Sequence, residues 1–167
     1  MWNFNKFRNN IALIDEKDKV FYRDLIIYSA KIEKKLRKKS LTLMLADNSI
    51  GSIVCYVSLI KKRFPVLILD HRITTKFLKD ILKLYKPENI CLPNKNSFFK
   101  RNKDFKFVYK FKSFKFLKNI KKDPFKVNDN LSILATTSGS TGSVKLIKQS
   151  YNNIKSNTSS ILQYLKL

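Results

Sequence analysis

Apolar and polar positions change period along this chain, and the changes mark out its elements. Ile11 to Asp15 and Val20-Phe21 are short apolar segments around a charged turn at Glu16 to Lys19, and they predict two short strands. From Tyr22 to Lys38, Leu25, Tyr28, Ile32 and Leu36 recur at helical spacing, while Lys31, Lys34, Lys35 and Arg37 can stay in water. Leu41 to Ala46 is an unbroken apolar run closed by Asp47-Asn48, as expected of a strand covered on both faces. Asn48 or Ser49 can cap a following helix from Ile50 to Lys62. With Ile53, Val54, Tyr56, Val57, Leu59 and Ile60, that helix is apolar on most of its surface and predicts deep packing. Pro65 to Asp70 is the next strand. Thr74 can cap a helix through Tyr85, with Phe77, Leu78, Ile81, Leu82 and Leu84 on its apolar face; Pro87 stops it and Ile90 to Leu92 follows as a strand. Strand, helix, strand, helix, strand with short connections predicts parallel strands and crossover helices.

The pattern then shifts. Asn94 to Lys122 is dense in Phe and Lys, and Phe105, Phe107, Tyr109 and Phe111 alternate with Lys106, Lys110 and Lys112. Period two predicts a strand with one aromatic face and one basic face. An edge strand with lysines toward solvent is the ordinary reading; a stacking platform for single-stranded nucleic acid is the functional one. A linker around Lys121 to Asn130 leads to the strand Leu131 to Ala135. A second alternating segment, Val144 to Lys148, forms a hairpin with it. Ser150 can cap a last helix from Tyr151 to Leu165, whose stripe of Ile154, Ile161, Leu162 and Leu165 is incomplete. The fold class is α/β: a parallel βαβαβ unit over 1–93, a Phe/Lys-rich β segment and linker over 94–130, and a loop hairpin plus terminal helix over 131–167.

Composition narrows this only a little. A chain of 167 residues, 44% hydrophobic and 13% aromatic, is long enough to build a core and is not disordered by composition. The formal charge of +23 allows non-specific binding of polyanions, nucleic acid or acidic membrane surfaces. The excess is mostly Lys spread along the chain among abundant Asn and Ile, which reads as compositional bias. Cys55 and Cys91 lie in apolar settings and read as small buried hydrophobes in a reducing compartment. The N-terminus lacks a signal-peptide core, and Lys61-Lys62-Arg63 breaks the most apolar stretch, so a cytoplasmic protein without a transmembrane helix is expected.

The chemistry is concentrated in Ala135 to Lys145, Ala-Thr-Thr-Ser-Gly-Ser-Thr-Gly-Ser-Val-Lys. Of only three glycines in the chain, two, Gly139 and Gly142, sit here. Glycine permits positive φ and close approach of backbone to ligand. Amide N–H groups of such a turn make an anion-binding concavity. Thr136, Thr137, Ser138, Ser140 and Thr141 add donors, and Lys145 adds positive charge. It is no Walker A loop, which needs Gly-Lys-Ser/Thr at its end, and the glycine spacing is wrong for a dinucleotide fingerprint.

Thr137 to Lys145 does resemble the phosphate loop of the adenylate-forming enzymes, the AMP-dependent ligases and acyl-CoA synthetases. The signature runs hydroxyl, small, Gly, hydroxyl, hydroxyl, Gly, any residue, small or apolar, Lys, and every position fits. Leu43-Met-Leu-Ala-Asp-Asn48, the helix after it and Pro65-Val-Leu-Ile-Leu-Asp70 are similar to the family's N-terminal region, as are Leu78 to Ile90. Tyr151, Asn153 and Ile154 take the places of an aromatic or His followed by Asn-Leu. There are departures: Val144 stands where Pro is usual, Leu146 where Gly is usual, and Arg63-Phe64 where a glycine normally lies between the buried helix and the next strand.

The resemblance implies ATP with magnesium as cofactor, a carboxylic acid as substrate, and CoA or a carrier-protein thiol as acceptor. It assigns ATP phosphates to Thr137, Ser138, Gly139, Ser140, Thr141, Gly142 and Lys145, with no catalytic residue and no metal ligand named in this chain. The downstream nucleotide, magnesium and catalytic-Lys segments of the family have no room in the residues after Lys145. The expectation is therefore the N-terminal part of such a ligase, truncated, inactive alone, and either completed by a C-terminal chain or serving as the assembly partner of a split synthetase. The rival class is a basic nucleic-acid-binding module. Asp70 and His71, an acid beside the only His, lack a Ser or Cys partner and read as incidental.

Overall fold

In a computed structural model, residues 3–16, 18–36, 40–99, 102–121, 127–136 and 146–166 are described. The apolar runs become the middle of a seven-stranded sheet. Its strands are β3 (Thr42–Ala46), β4 (Val66–Asp70), β5 (Asn89–Pro93), β6 (Phe105–Phe111), β7 (Phe114–Asn119), β8 (Leu131–Thr136) and β9 (Leu146–Ser150), in the order β6-β7-β5-β3-β4-β8-β9. The four central strands β5, β3, β4 and β8 are parallel, and β7, β6 and β9 are antiparallel to their neighbours. The three sequence segments share this sheet, since β5 pairs with β7 and β4 pairs with β8.

Alternation explains why the central strands read as continuous apolar runs. Leu43, Leu45, Leu67, Leu69, Ile90 and Leu92 enter the core under α3 (Thr75–Tyr85), with its Leu78 and Ile81. Met44, Val66, Cys91 and Ile133 face α2 (Ile50–Lys61), meeting its Cys55, Leu59 and Ile60. Both faces are covered, so both parities must be apolar. Burying each such leucine stabilises the fold by about 1.5–3 kcal/mol. Cys55 and Cys91 are free thiols in the α2-side core, and burial pushes the Cys91 thiol up. Both helices are capped as their sequences predict: Ser49 Oγ accepts from Ser52 N, and Thr74 Oγ1 accepts from Phe77 N.

On the outer side of α2 sits a further layer made of α1 (Tyr22–Lys35) and the hairpin β1 (Ile11–Ile14) and β2 (Lys19–Phe21). No Ser or Thr precedes α1; instead the Asp24 carboxylate accepts from Phe21 N at 2.9 Å. Ser29 Oγ donates to Leu25 O at 2.6 Å and lies 3.1 Å from Ser58 Oγ, so small hydroxyls let α1 and α2 approach. Helix α1 is assigned to Lys35 rather than Lys38; residues 37–39 lie outside the described residues. Ile53, expected to be packed, is 42% exposed on α2.

The Phe/Lys segment corrects the sequence reading most clearly. It forms two strands, β6 at the sheet edge and β7 beside it, and a bulge lies between Phe107 and Tyr109. One extra residue reverses the faces of a strand. Phe105 and Phe107 stand on the α3 side, opposite Asn119 and Leu117, whereas Tyr109 and Phe111 stand on the α2 side, opposite Phe116 and Phe114. The shift lets the Phe111 ring reach Tyr28 at 4.0 Å between centroids and leaves Phe107 63% exposed. There is no single aromatic face, so the stacking platform that would serve single-stranded nucleic acid is not formed. No helix among the described residues is long and apolar enough to cross a membrane.

Candidate functional site

The chain leaves β3 through α2 on one face of the sheet and leaves β4 through α3 on the other. Between the carboxyl ends of β3 and β4 the crossovers part, and open α/β sheets bind ligands in such a crevice. A cleft of ≈ 570 Å³ lies there. Asp47 and Asn48 following β3, Asp70, His71 and Arg72 at the end of β4, and Ala135 and Thr136 at the end of β8 form its rim.

Each rim residue is fixed by local chemistry. Asp47 Oδ1 accepts from Ser49 N at 3.1 Å and from Ser49 Oγ at 2.6 Å, which shapes the turn into α2. Asp70 is gripped by Arg72: its Oδ1 accepts from Arg72 N at 2.8 Å and Nε at 3.0 Å, and its Oδ2 accepts from Nη2 at 2.7 Å. These bonds hold the Asp70 carboxyl well below the usual carboxylate range. His71 N donates to Ala46 O at 3.0 Å, tying the β4 end to the β3 end. Its Nδ1 is 3.8 Å from Asp70 Oδ1, too far for a hydrogen bond and close enough for an ion pair only when the imidazole is protonated.

The loop motif attaches to this rim. Thr136 and Leu146 are partners in the β8–β9 ladder, followed inward by Ala135 and Ile147. The predicted phosphate ligands Thr137, Ser138, Gly139, Ser140, Thr141, Gly142 and Lys145 lie outside the described residues. Their two anchors do not, and the β8 anchor, Thr136, lines the cleft.

After β9 comes α4 (Tyr151–Tyr164). Asn153 Oδ1 accepts from Ser150 N at 2.9 Å and Ser150 Oγ at 2.7 Å, while Asn153 N donates to Ser150 Oγ, so this asparagine closes a capping box. Tyr151 and Ile154 pack on the α2-side core, and burial pushes the Tyr151 phenol up to about 12. The Arg63 guanidinium sits 5.5 Å from the Tyr151 ring centroid. Arg63 has φ 57, a left-handed conformation, at the position where the resemblance expects glycine.

Sequence reasoning missed Arg72 and Asp47 as rim residues. The available signal was their place: charged residues directly after apolar strands that run parallel. Among the described residues, no group of three or more His, Cys, Asp or Glu could hold a metal ion.

No protein-family model matches the sequence, and no curated protein matches it. Solved structures do share the fold. The chain is similar to the O-succinylbenzoate coenzyme A synthetase MenE from Bacillus subtilis in complex with AMP, at 15% identity and a TM-score of 0.68, over 100% of this chain and 46% of that one. It is similar to the Vibrio cholerae adenylation domain AlmE in complex with glycyl-adenosine-5'-phosphate, at 16% identity and a TM-score of 0.75, over 98% of this chain and 36% of that one. MatB from Rhodopseudomonas palustris matches at 13% identity and a TM-score of 0.58, over 90% and 33%. The fold is thus shared with part of the adenylate-forming enzymes, and the chain spans less than half the length of each of these three.

Proposed function

We propose that this chain is the ATP-phosphate-binding part of an ATP-dependent, acyl-adenylate-forming acid ligase. One juxtaposition carries the reading. A motif rich in Gly, Ser and Thr joins two paired strand ends at the rim of the switch-point cleft, in a fold shared with enzymes solved with AMP and acyl-adenylates.

In the proposed reaction a substrate carboxylate attacks the α-phosphorus of ATP, and pyrophosphate leaves with the growing charge. Such catalysis is chiefly positioning and stabilisation of phosphoryl oxygens. The amides of Gly139 and Gly142 and the hydroxyls of Thr137, Ser138, Ser140 and Thr141 would hold the β- and γ-phosphates, and Lys145 would neutralise them. The rim fits a nucleotide's polar surface, with main-chain turns, Asn48 and the Asp70–Arg72 pair beside the loop anchors. Among its described residues, Arg72 engages both Asp70 oxygens and Ser49 engages Asp47 Oδ1, and no group of three or more His, Cys, Asp or Glu could hold a metal ion. Magnesium, the thiol acceptor (CoA or a carrier protein) and the later catalytic groups belong in this reading to polypeptide beyond the present residues. The chain by itself binds ATP weakly and does not adenylate.

Calorimetric titration with ATP and with pyrophosphate tests this. Lys145→Ala should weaken both by about tenfold, the worth of one charge-assisted contact. Unchanged affinity in Lys145→Ala would remove the assigned role of the loop. Exchange of labelled pyrophosphate into ATP by the chain alone would overturn its incompleteness.

A further inference from the structure

Among the described residues β9 is the last strand of the sheet, and one side of its backbone pairs with no strand there. Its Ile147 is 49% exposed. Among the described residues helix α4 meets the apolar core through Tyr151 and Ile154 in its first turns, and none of its residues is fully buried. Thr158, one turn on, is still half-buried, and the residues after it are exposed. A cleft of ≈ 600 Å³ lies between α4, the sheet and α2, lined by Tyr56 of α2, Ile133 of β8, Gln149 of β9 and Asn153, Asn157 and Ser160 of α4. The last turns carry Ile161, Leu162 and Leu165, all exposed. A strand edge, a mostly polar groove and an exposed apolar helix end on one chain segment make a surface suited to another polypeptide.

Charge decides which polypeptide. No Asp or Glu occurs from residue 130 to the last residue given, while Lys145, Lys148, Lys155 and Lys166 do. A second copy would bring the same lysines and another net charge of +23 against this edge, and like charges oppose that pairing. Nucleic acid would satisfy the lysines but not the open strand backbone or the three aliphatic side chains.

We propose that the β9 edge and the exposed face of α4 are a docking surface for an acidic polypeptide that adds to β9 as a further strand and covers Ile161, Leu162 and Leu165. The solved neighbours are longer chains, of which this fold is 46% and 36%; the occupant is assigned here by charge complementarity. The inference deepens the partial-ligase reading yet stands on this surface alone, so ATP binding can fail while docking succeeds.

The test uses the full chain and a fluorescein-labelled, strand-length peptide of alternating Val and Glu. Polyglutamate of equal charge and an oligothymidylate are comparison probes. The alternating peptide should bind about tenfold more tightly than either, because it also pairs backbone and buries apolar side chains. It should protect β9 amides from hydrogen exchange. The double variant Ile161→Asp, Leu162→Asp alters exposed positions; its melting temperature should be unchanged and its peptide affinity should fall to the polyglutamate level. Equal binding of all three anions would reduce the surface to charge alone and overturn the proposal. So would β9 protection by the oligothymidylate, or a dimer with β9 already protected before peptide is added.

Discussion

Thr136 and Leu146 face one another at the last described rung of the β8–β9 ladder, and Thr136 also lines the cleft. The loop motif therefore begins and ends at fixed points beside the crevice, and its length sets where its amides can reach. Inserting two glycines between Thr136 and Thr137 should leave stability almost unchanged. Lengthening a closed loop this slightly costs only about 0.2 kcal/mol. ATP affinity should nevertheless fall, because the register between motif and cleft is lost. Thermal unfolding and calorimetric titration of the same variant separate the two effects.

The Asp70–Arg72 pair predicts a pH response. The folded carboxyl titrates below its unfolded value of about 3.9. Its contribution is therefore complete above that value and is lost as pH falls through the lower folded one. The pair is exposed, so the effect belongs to rim geometry more than to global stability. A carboxyl-carbon NMR titration should place the Asp70 midpoint well below about 3.9, and Arg72→Gln should return it toward that figure.

Arg63 holds a backbone conformation that costs a non-glycine residue about 1–2 kcal/mol. Its guanidinium recovers part of that against Tyr151. Arg63→Ala should lose the ring contact and keep the strain. Arg63→Gly should be about 1 kcal/mol more stable than the Ala variant, read as a higher urea midpoint.

Gly51 tests the packing of α2 on the β6–β7 hairpin. A Cβ there would lie 2.6 Å from Ser113 Oγ and 2.9 Å from Phe114 Cδ2. The hydroxyl can rotate away, but Phe114 is fully buried. Gly51→Ala should therefore destabilise by about 1–3 kcal/mol, despite the better helix propensity of alanine, in equilibrium denaturation.

The sequence made the central sheet readable because β3, β4 and β5 are covered on both faces and bounded by Asp47, Asp70 and Pro87. The caps Thr74 and Ser150 were equally plain, each a hydroxyl before an apolar period, while before α2 the sequence offered Asn48 or Ser49 and the structure uses Ser49. The bulge in β6 was not, since Phe107 and Tyr109 keep perfect alternation in sequence while tertiary contacts with Tyr28 and Phe116 reverse the face. The end of α4 was legible only in part: its stripe reads as incomplete, and Ile161 and Leu162 are exposed among the described residues. The cleft was half visible. The Gly/Ser/Thr motif stands out by composition but lies outside the described residues, while Arg72 and Asp47 join the rim only through the parallel register of β3 and β4.

The most direct test is an amide NMR titration of the isotopically labelled chain with pyrophosphate and then ATP, at physiological ionic strength. Saturable shifts should concentrate at Asn48, Asp70 to Arg72 and the stretch from Ala135 to Ile147, and Lys145→Ala should weaken them about tenfold. Shifts scattered over lysine-rich surfaces with no saturation at the rim, and unaffected by Lys145→Ala, would show mere attraction of anions to a basic protein and contradict a polyphosphate site between Thr136 and Leu146.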